Sequence, residues 1–263
     1  MNKCHKYDNI FFNEGILDTF IDAVYVILLK GSDRTKGVYN QINNYKLSKK
    51  NHIQINEKFS DCYNKELCDQ KTYYHLADNT VNILKDANNR NYNNILVFED
   101  DFILDEQIKE KKIIGDLSTF MNNNSFDIYF LGCMPWIISP HDSKHMKIYG
   151  MGTTHSVIYS KQGRDKIIKK YEEKKCIFPF LHDLWYNKFL SSKYMYYKPL
   201  CYQPLVETNN RNEWSNFLLN EFLHYLELDT NPVFGFRRYY LIIYFLNIVV
   251  FLTLLYFLIK QII

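Results

Sequence analysis

Six cysteines are spread through the 263 residues at Cys4, Cys62, Cys68, Cys133, Cys176 and Cys201, with no CxxC pair and no close spacing to histidine. That absence excludes a zinc-ribbon or zinc-finger site, and reduced thiols are the expectation. No sign of charge predominates: 32 Lys and Arg stand against 29 Asp and Glu, and the basic residues are dispersed. The chain therefore lacks the electrostatic footprint of a nucleic-acid binder. It has no internal repeat and no long linker, so one large domain is expected. No N-terminal signal peptide is expected, because the first apolar segment is too short and too β-branched.

Against these absences, apolar residues make up 47% of the chain, and 22 Tyr and 19 Phe make it unusually aromatic. One long apolar run exists. Residues 239–259 read YYLIIYFLNIVVFLTLLYFLI, without a charge and with a single Asn. About 20 apolar residues suffice for a helix to cross a bilayer core of about 30 Å. Arg237 and Arg238 precede the run and Lys260 follows it. The expectation is a single C-terminal membrane anchor over 236–263, with residues 1–235 as a separate domain on the cytoplasmic side. The sequon Asn123-Asn124-Ser125 would then stay unmodified.

The domain reads as alternating strands and helices. Strands are expected at 23–29, 52–56 and 95–98, with helices at 36–47 and 65–87 between them, a β-α-β-α-β order that favours a parallel sheet. Beyond them the pattern predicts a helix over 107–121, strands at 126–132 and 154–160, a helix over 161–173 and a last helix over 212–228. Residues 134–150 show no period, and residues 1–20 carry no strong pattern.

The most informative stretch is 95–101, ILVFEDD. It is a buried-strand run ending in three carboxylates, Glu99, Asp100 and Asp101. In open α/β sheets ligands bind at that strand edge. Adjacent carboxylates repel, and hard oxygen ligands suit Mg²⁺ or Mn²⁺ bridging to phosphates. A solvated acidic turn is the competing reading.

Several stretches together resemble glycosyltransferase family 25, the group of lipooligosaccharide and procollagen galactosyltransferases. Residues 25–34, YVILLKGSDR, are similar to its first strand and turn. Residues 95–101 are similar to its ILIFEDD motif, and 127–132, DIYFLG, to its next strand. Residues 152–163, GTTHSVIYSKQG, residues 179–185, PFLHDLW, and Gln203-Pro204 follow in the family's order. The likeness spans about residues 23–215. It departs at Leu28, where the family has Asn, and in a Gly-rich segment of which only His75 remains.

The resemblance implies an α/β chain of GT-A (Rossmann-like) fold and a metal-dependent, inverting glycosyltransferase. A sugar such as galactose or glucose would move from a nucleotide-sugar donor, UDP-sugar by analogy, to a glycan or hydroxylated protein acceptor. Asp100 and Asp101 would hold the metal, Mn²⁺ by analogy. Lys30, Asp33, Arg34, Glu99 and His155 would contact the donor, and Asp183, with His182 beside it, would be the base. Asp183 equally suits a helix N-cap, His155 a structural hydrogen bond, and the 30–34 loop a solvated turn. Two other functions stand beside this one: a catalytically decayed, membrane-anchored binding or scaffold protein on the same fold, and a metal-dependent nucleotidyltransferase.

Overall fold

The computed structural model describes residues 4–58, 62, 72–173, 182–205 and 217–262; the side chains of residues 182, 183, 217, 218, 261 and 262 lie outside that description. It is a mixed α/β structure around a seven-stranded sheet, followed by one long apolar helix.

The sheet is built outward from β2 (Ala23–Leu29) and β4 (Asn94–Glu99), which pair in parallel. Both are nearly continuous apolar runs because both faces of the sheet are covered. β3 (Lys50–Asn56) lies parallel to β2 on its other side. The links are helices α1 (Thr35–Tyr45) and α2 (Thr72–Asn89), so this half of the sheet is the parallel β-α-β-α-β unit expected from the sequence. Asp22 sets the register, its Oδ2 accepting from the backbone N–H groups of Asn93 and Asn94 at 2.6 and 3.0 Å.

Past β4 the direction reverses. β7 (His145–Ser160) runs antiparallel to β4 and to β6 (Ile128–Pro140), and β8 (Lys193–Tyr196) lies parallel to β6. At the opposite edge, β1 (His5–Phe11) pairs antiparallel with β3. The order is β1-β3-β2-β4-β7-β6-β8, and a two-stranded ribbon of β5 (Ile103–Leu104) and β9 (Cys201–Tyr202) stands apart.

Apolar side chains sort onto the two faces. α1 and α3 (Lys111–Asn123) cover one face, with Val38, Ile42, Leu117 and Phe120 packed over Val24, Val26 and Phe98. α2, α4 (Lys161–Glu173), α5 (His182–Phe189) and α6 (Phe217–Tyr225) cover the other, where Ala77, Ile167, Tyr186 and Leu223 meet Tyr25 and Val97. The last helix, α7 (Pro232–Ile262), joins that second layer through Phe236, Tyr239 and Tyr240 before emerging with its apolar surface exposed. It is long and apolar enough to cross a membrane. The expected domain boundary at 235/236 falls inside this continuous helix.

Three expectations need correction. Residues 134–150 are not irregular; they form the outer part of the β6–β7 hairpin, hidden because register shifts from Phe130 to Ile138, with Pro135 among them, break the period-two pattern. The first twenty residues hold a strand, β1, an edge strand none of whose positions is fully buried, so its sequence carries few apolar residues. The cysteines are not all reduced: Cys4 and Cys62 form a disulfide, while Cys133 and Cys201 are buried free thiols. Spacing could not signal a bond between residues 58 apart in sequence, which β1–β3 pairing brings together.

Candidate active site

Because β2 and β4 are parallel neighbours with Ile27 opposite Glu99, the chain leaves both strands at the same sheet edge. After β2, Gly31 at φ +75° makes a left-handed turn that a side chain would strain. Ser32 N then donates to Leu29 O at 3.0 Å, and Thr35 Oγ1 to Ser32 O at 2.6 Å, starting α1. This turn swings Arg34 across to the acidic residues after β4.

There a single nitrogen joins two carboxylates. Arg34 Nη1 donates to Asp100 Oδ1 at 2.8 Å and to Asp101 Oδ2 at 3.1 Å. Ser32 Oγ donates to Asp100 Oδ2 at 3.2 Å. From the far side, Gln203 Nε2 donates to Asp101 Oδ1 and Oδ2 at 3.0 and 3.2 Å and reaches Glu99 Oε2 at 3.5 Å. Thr154 Oγ1 on β7 donates to Glu99 Oε1 at 3.3 Å. Strand pairing brings Thr154 there, since Phe98 lies opposite Ser156. The residue before it, Thr153, holds a left-handed φ of +62°, costly for a β-branched side chain.

The cluster is electrostatically tense. Burial, with the Asp100 charge beside it, pushes the Asp101 carboxyl up to about 6, against the opposing pull of Arg34 and the Gln203 amide. Burial alone would lower Arg34, but Asp101 and then Asp100 outweigh it and hold the guanidinium more firmly charged than usual.

Of the residues expected at a site, the fold brings Arg34, Glu99, Asp100 and Asp101 together. Lys30 points to Glu57 at 2.8 Å, and Asp33 is an exposed neighbour whose charge adds to the hold on Arg34. His155 is fully buried behind the strand, its Nε2 3.4 Å from Cys201 O and its ring against Phe236. His182 and Asp183 open α5, and their side chains lie outside the described residues. Ser32, Thr154 and Gln203 do not stand out in the sequence as site residues. Each lies in a stretch that carries the family resemblance, and Gln203-Pro204 was the usable signal for a polar contact.

The arrangement can bind a cation, an anion, or both. Two hard carboxylate oxygens converge on one point, now filled by a guanidinium nitrogen. That donor set fits a divalent metal whose remaining ligands come from phosphate or water. Among the described residues no group of three or more His, Cys, Asp or Glu could hold an ion by itself. Arg34 carries a planar set of N–H donors suited to phosphate oxygens.

The sequence matches no protein-family model and none of the curated proteins. Several solved structures align with part of the chain. A197 from STIV aligns with a TM-score of 0.43 and 12% identity over 70% of this chain and 85% of its own. A glycosyltransferase involved in the glycosylation of the major capsid of PBCV-1 aligns at 0.41 and 9%, over 72% and 96%. The nucleoside-diphosphate-sugar pyrophosphorylase from Vibrio cholerae RC9 aligns at 0.33 and 13%, over 70% and 78%. Likeness at this level carries no argument about chemistry.

Proposed function

We propose that the chain is a membrane-anchored glycosyltransferase of GT-A type, related to family 25, that moves a sugar from a nucleotide-sugar donor to a hydroxyl acceptor. The observation that carries this reading is the convergence of Asp100 and Asp101 on Arg34 at the shared end of β2 and β4. A donor's diphosphate needs a cation on one side and N–H donors on the other, and these three residues offer both.

In this mechanism the acceptor oxygen forms a bond to the sugar's anomeric carbon as the bond from that carbon to the diphosphate breaks, with inversion. Asp183, at the start of α5, takes the hydroxyl proton, and His182 is its neighbour. The nucleoside diphosphate leaves. Arg34 exchanges one carboxylate for a phosphate oxygen and so orients the leaving group. Gln203 and Ser32 hold the two aspartates while their partner changes. A divalent metal held by Asp100 and Asp101, Mn²⁺ by the family resemblance, would neutralise charge on the leaving diphosphate. Glu99, held by Thr154 and Gln203, faces the sugar.

A panel of nucleotide sugars tests the reading, with hydrolysis and transfer followed with and without Mn²⁺. Metal-dependent release of nucleoside diphosphate from one donor supports it. Binding without turnover identifies a binding protein on the same fold, and release of pyrophosphate from a nucleotide and a sugar phosphate identifies a nucleotidyltransferase.

Two residue sets bear on the compartment, and they pull apart. Arg237 and Arg238 favour a cytoplasmic domain, whereas the Cys4–Cys62 bond favours an oxidising compartment. We place the domain on the cytoplasmic side and predict that Asn123, exposed at the end of α3, carries no glycan in a eukaryotic host. A mass shift removed by glycosidase would reverse the orientation.

A further inference from the structure

α7 is fastened to the sheet well beyond its first turn. Tyr239 donates through its hydroxyl to Pro135 O at 2.8 Å. Asn247 Nδ2 donates to Trp136 O at 3.1 Å, and Asn247 Oδ1 accepts from Ile138 N at 3.1 Å. Residues 239–247 of the helix therefore lie along the 135–138 segment of β6. The opposite helix face is bare, with Leu241 70% exposed and Phe245, Leu246 and Ile248 exposed beyond it.

Length now constrains the geometry. From residue 248, where the helix is exposed on every side, to Ile259, the last residue before the charged Lys260, the reach is only about 18 Å. A hydrocarbon core is about 30 Å thick. Counted from Leu241 to Ile259, the uncharged stretch reaches about 28 Å. It crosses only if the hydrocarbon begins near Leu241, at a level where its inner face is still covered by β6. The hairpin must then occupy the interface at that level.

Its surface there suits the place. Trp136 and Ile137 are 46% and 57% exposed, and Tyr149 stands beside them. The indole lies across Gly150 and Gly152; a Cβ on Gly152 would meet it at 3.2 Å, so the bare glycines give it a flat seat. Trp and Tyr favour the bilayer–water boundary because one end of the ring is apolar and the other polar. Lys147 Nζ sits 5.5 Å from the Tyr149 ring centroid, a cation on an apolar stem at the same edge.

Building on the reading of α7 as a membrane span, we propose that the β6–β7 hairpin is embedded in the headgroup–acyl boundary of the bilayer that α7 enters, anchored by Trp136, Ile137 and Tyr149. The helix and hairpin then form one rigid foot. Thr154, which holds Glu99, lies five residues along β7 from Tyr149, about 17 Å of strand. The acidic cluster is thereby kept at a fixed height over the membrane.

Tryptophan depth measurements on the full chain in phosphatidylcholine vesicles test this. One reporter keeps only Trp136, through Trp185→Phe and Trp214→Phe. A second adds Trp136→Phe and carries Phe251→Trp as its sole indole. Lipids brominated near the headgroup are expected to quench most Trp136 emission, and lipids brominated deep in the chain to quench Phe251→Trp. If Phe251→Trp is quenched while Trp136 responds only to aqueous acrylamide, the hairpin proposal fails and the span stands. If neither responds to lipid, the span fails and the proposal falls with it. Trp136 shielded from both lipid and acrylamide would mean that a second protein surface covers it, which also overturns the proposal. All aromatic replacements conserve bulk, and circular dichroism before reconstitution excludes unfolded samples.

Discussion

The two halves of the sheet solve different problems. In the β3-β2-β4 half, parallel strands end together and their loops collect charge at one edge: Arg34 from one loop, Asp100 and Asp101 from another. In the β7-β6-β8 half, the antiparallel pair β6 and β7 overruns the sheet, and its extra length is covered by an apolar helix rather than left to loops. Parallel pairing gathers charge at one edge, whereas the long hairpin makes a place for another element. Thr154 and Gln203 connect the two, since each reaches from the second half or its flank to a carboxylate of the first.

The sharpest break of this comparison is truncation. Removing residues 236–263 takes Phe236, Tyr239 and Tyr240 out of the core and is expected to abolish folding, while removing 248–263 leaves every one of those contacts and yields a folded protein. In a chain ending at 247, Phe236→Ala should cost about 3–5 kcal/mol in urea denaturation, the usual range for a fully buried Phe. A folded product from the longer deletion would show that the second half stands without its helix.

Next in size is Asp183→Asn. If the base lies on α5, transfer falls roughly 10²–10⁴-fold while donor binding at the parallel edge, measured by calorimetry, is unchanged. Asn caps a helix about as well as Asp. Near-normal turnover would therefore make Asp183 a cap and move the base elsewhere.

Asp101→Asn addresses the tension in the first half. The folded carboxyl titrates at about 6, above the ordinary value of about 3.9. A raised carboxyl contributes its full stability only below the unfolded value, and loses it as pH rises through 6. The substitution removes that loss. It should add about 1–2 kcal/mol at pH 7 after allowing for the weakened Arg34 contact, with no gain below about pH 4. The Mn²⁺ response in calorimetry should vanish in the same variant. A loss of stability at pH 7 would mean that the Arg34 contact outweighs the cost of burial.

The smallest expected effect lies where the halves meet. Thr153→Gly frees a left-handed backbone and should raise stability by about 1 kcal/mol. If that strain serves to aim Thr154 at Glu99, the gain comes with weaker donor binding.

How much of this was legible in the sequence follows the same division. β2 and β4 were readable as unbroken apolar runs because both faces of a central parallel strand are buried, and the acidic end of β4 was conspicuous at once. Arg34 could be proposed from its place in the turn, but its double engagement with Asp100 and Asp101 depends on the register of two strands far apart in sequence. The outer hairpin was illegible for a physical reason. Pro135, Pro140 and the bulges between them erase alternation, and the surface that buries one side of the hairpin belongs to a helix a hundred residues away. His155 drew attention as a polar residue in a motif-like stretch, yet it is packed inside against Phe236. The run 239–259 advertised its hydrophobicity but not that its first turns serve the core.

The two borders of the sheet have a consequence for life at high surface density. Proteins confined to a plane meet one another far more often than in free solution, and an open strand is an invitation to polymerise. Here the β1 border carries exposed Lys6 and Asp8, charged side chains that a second copy laid alongside would have to strip of water. The β8 border is four residues long and is pinned to β6 and to the start of β7 at once, too short to template a partner. Crowded chains can thus drift past each other without fusing their sheets into fibres.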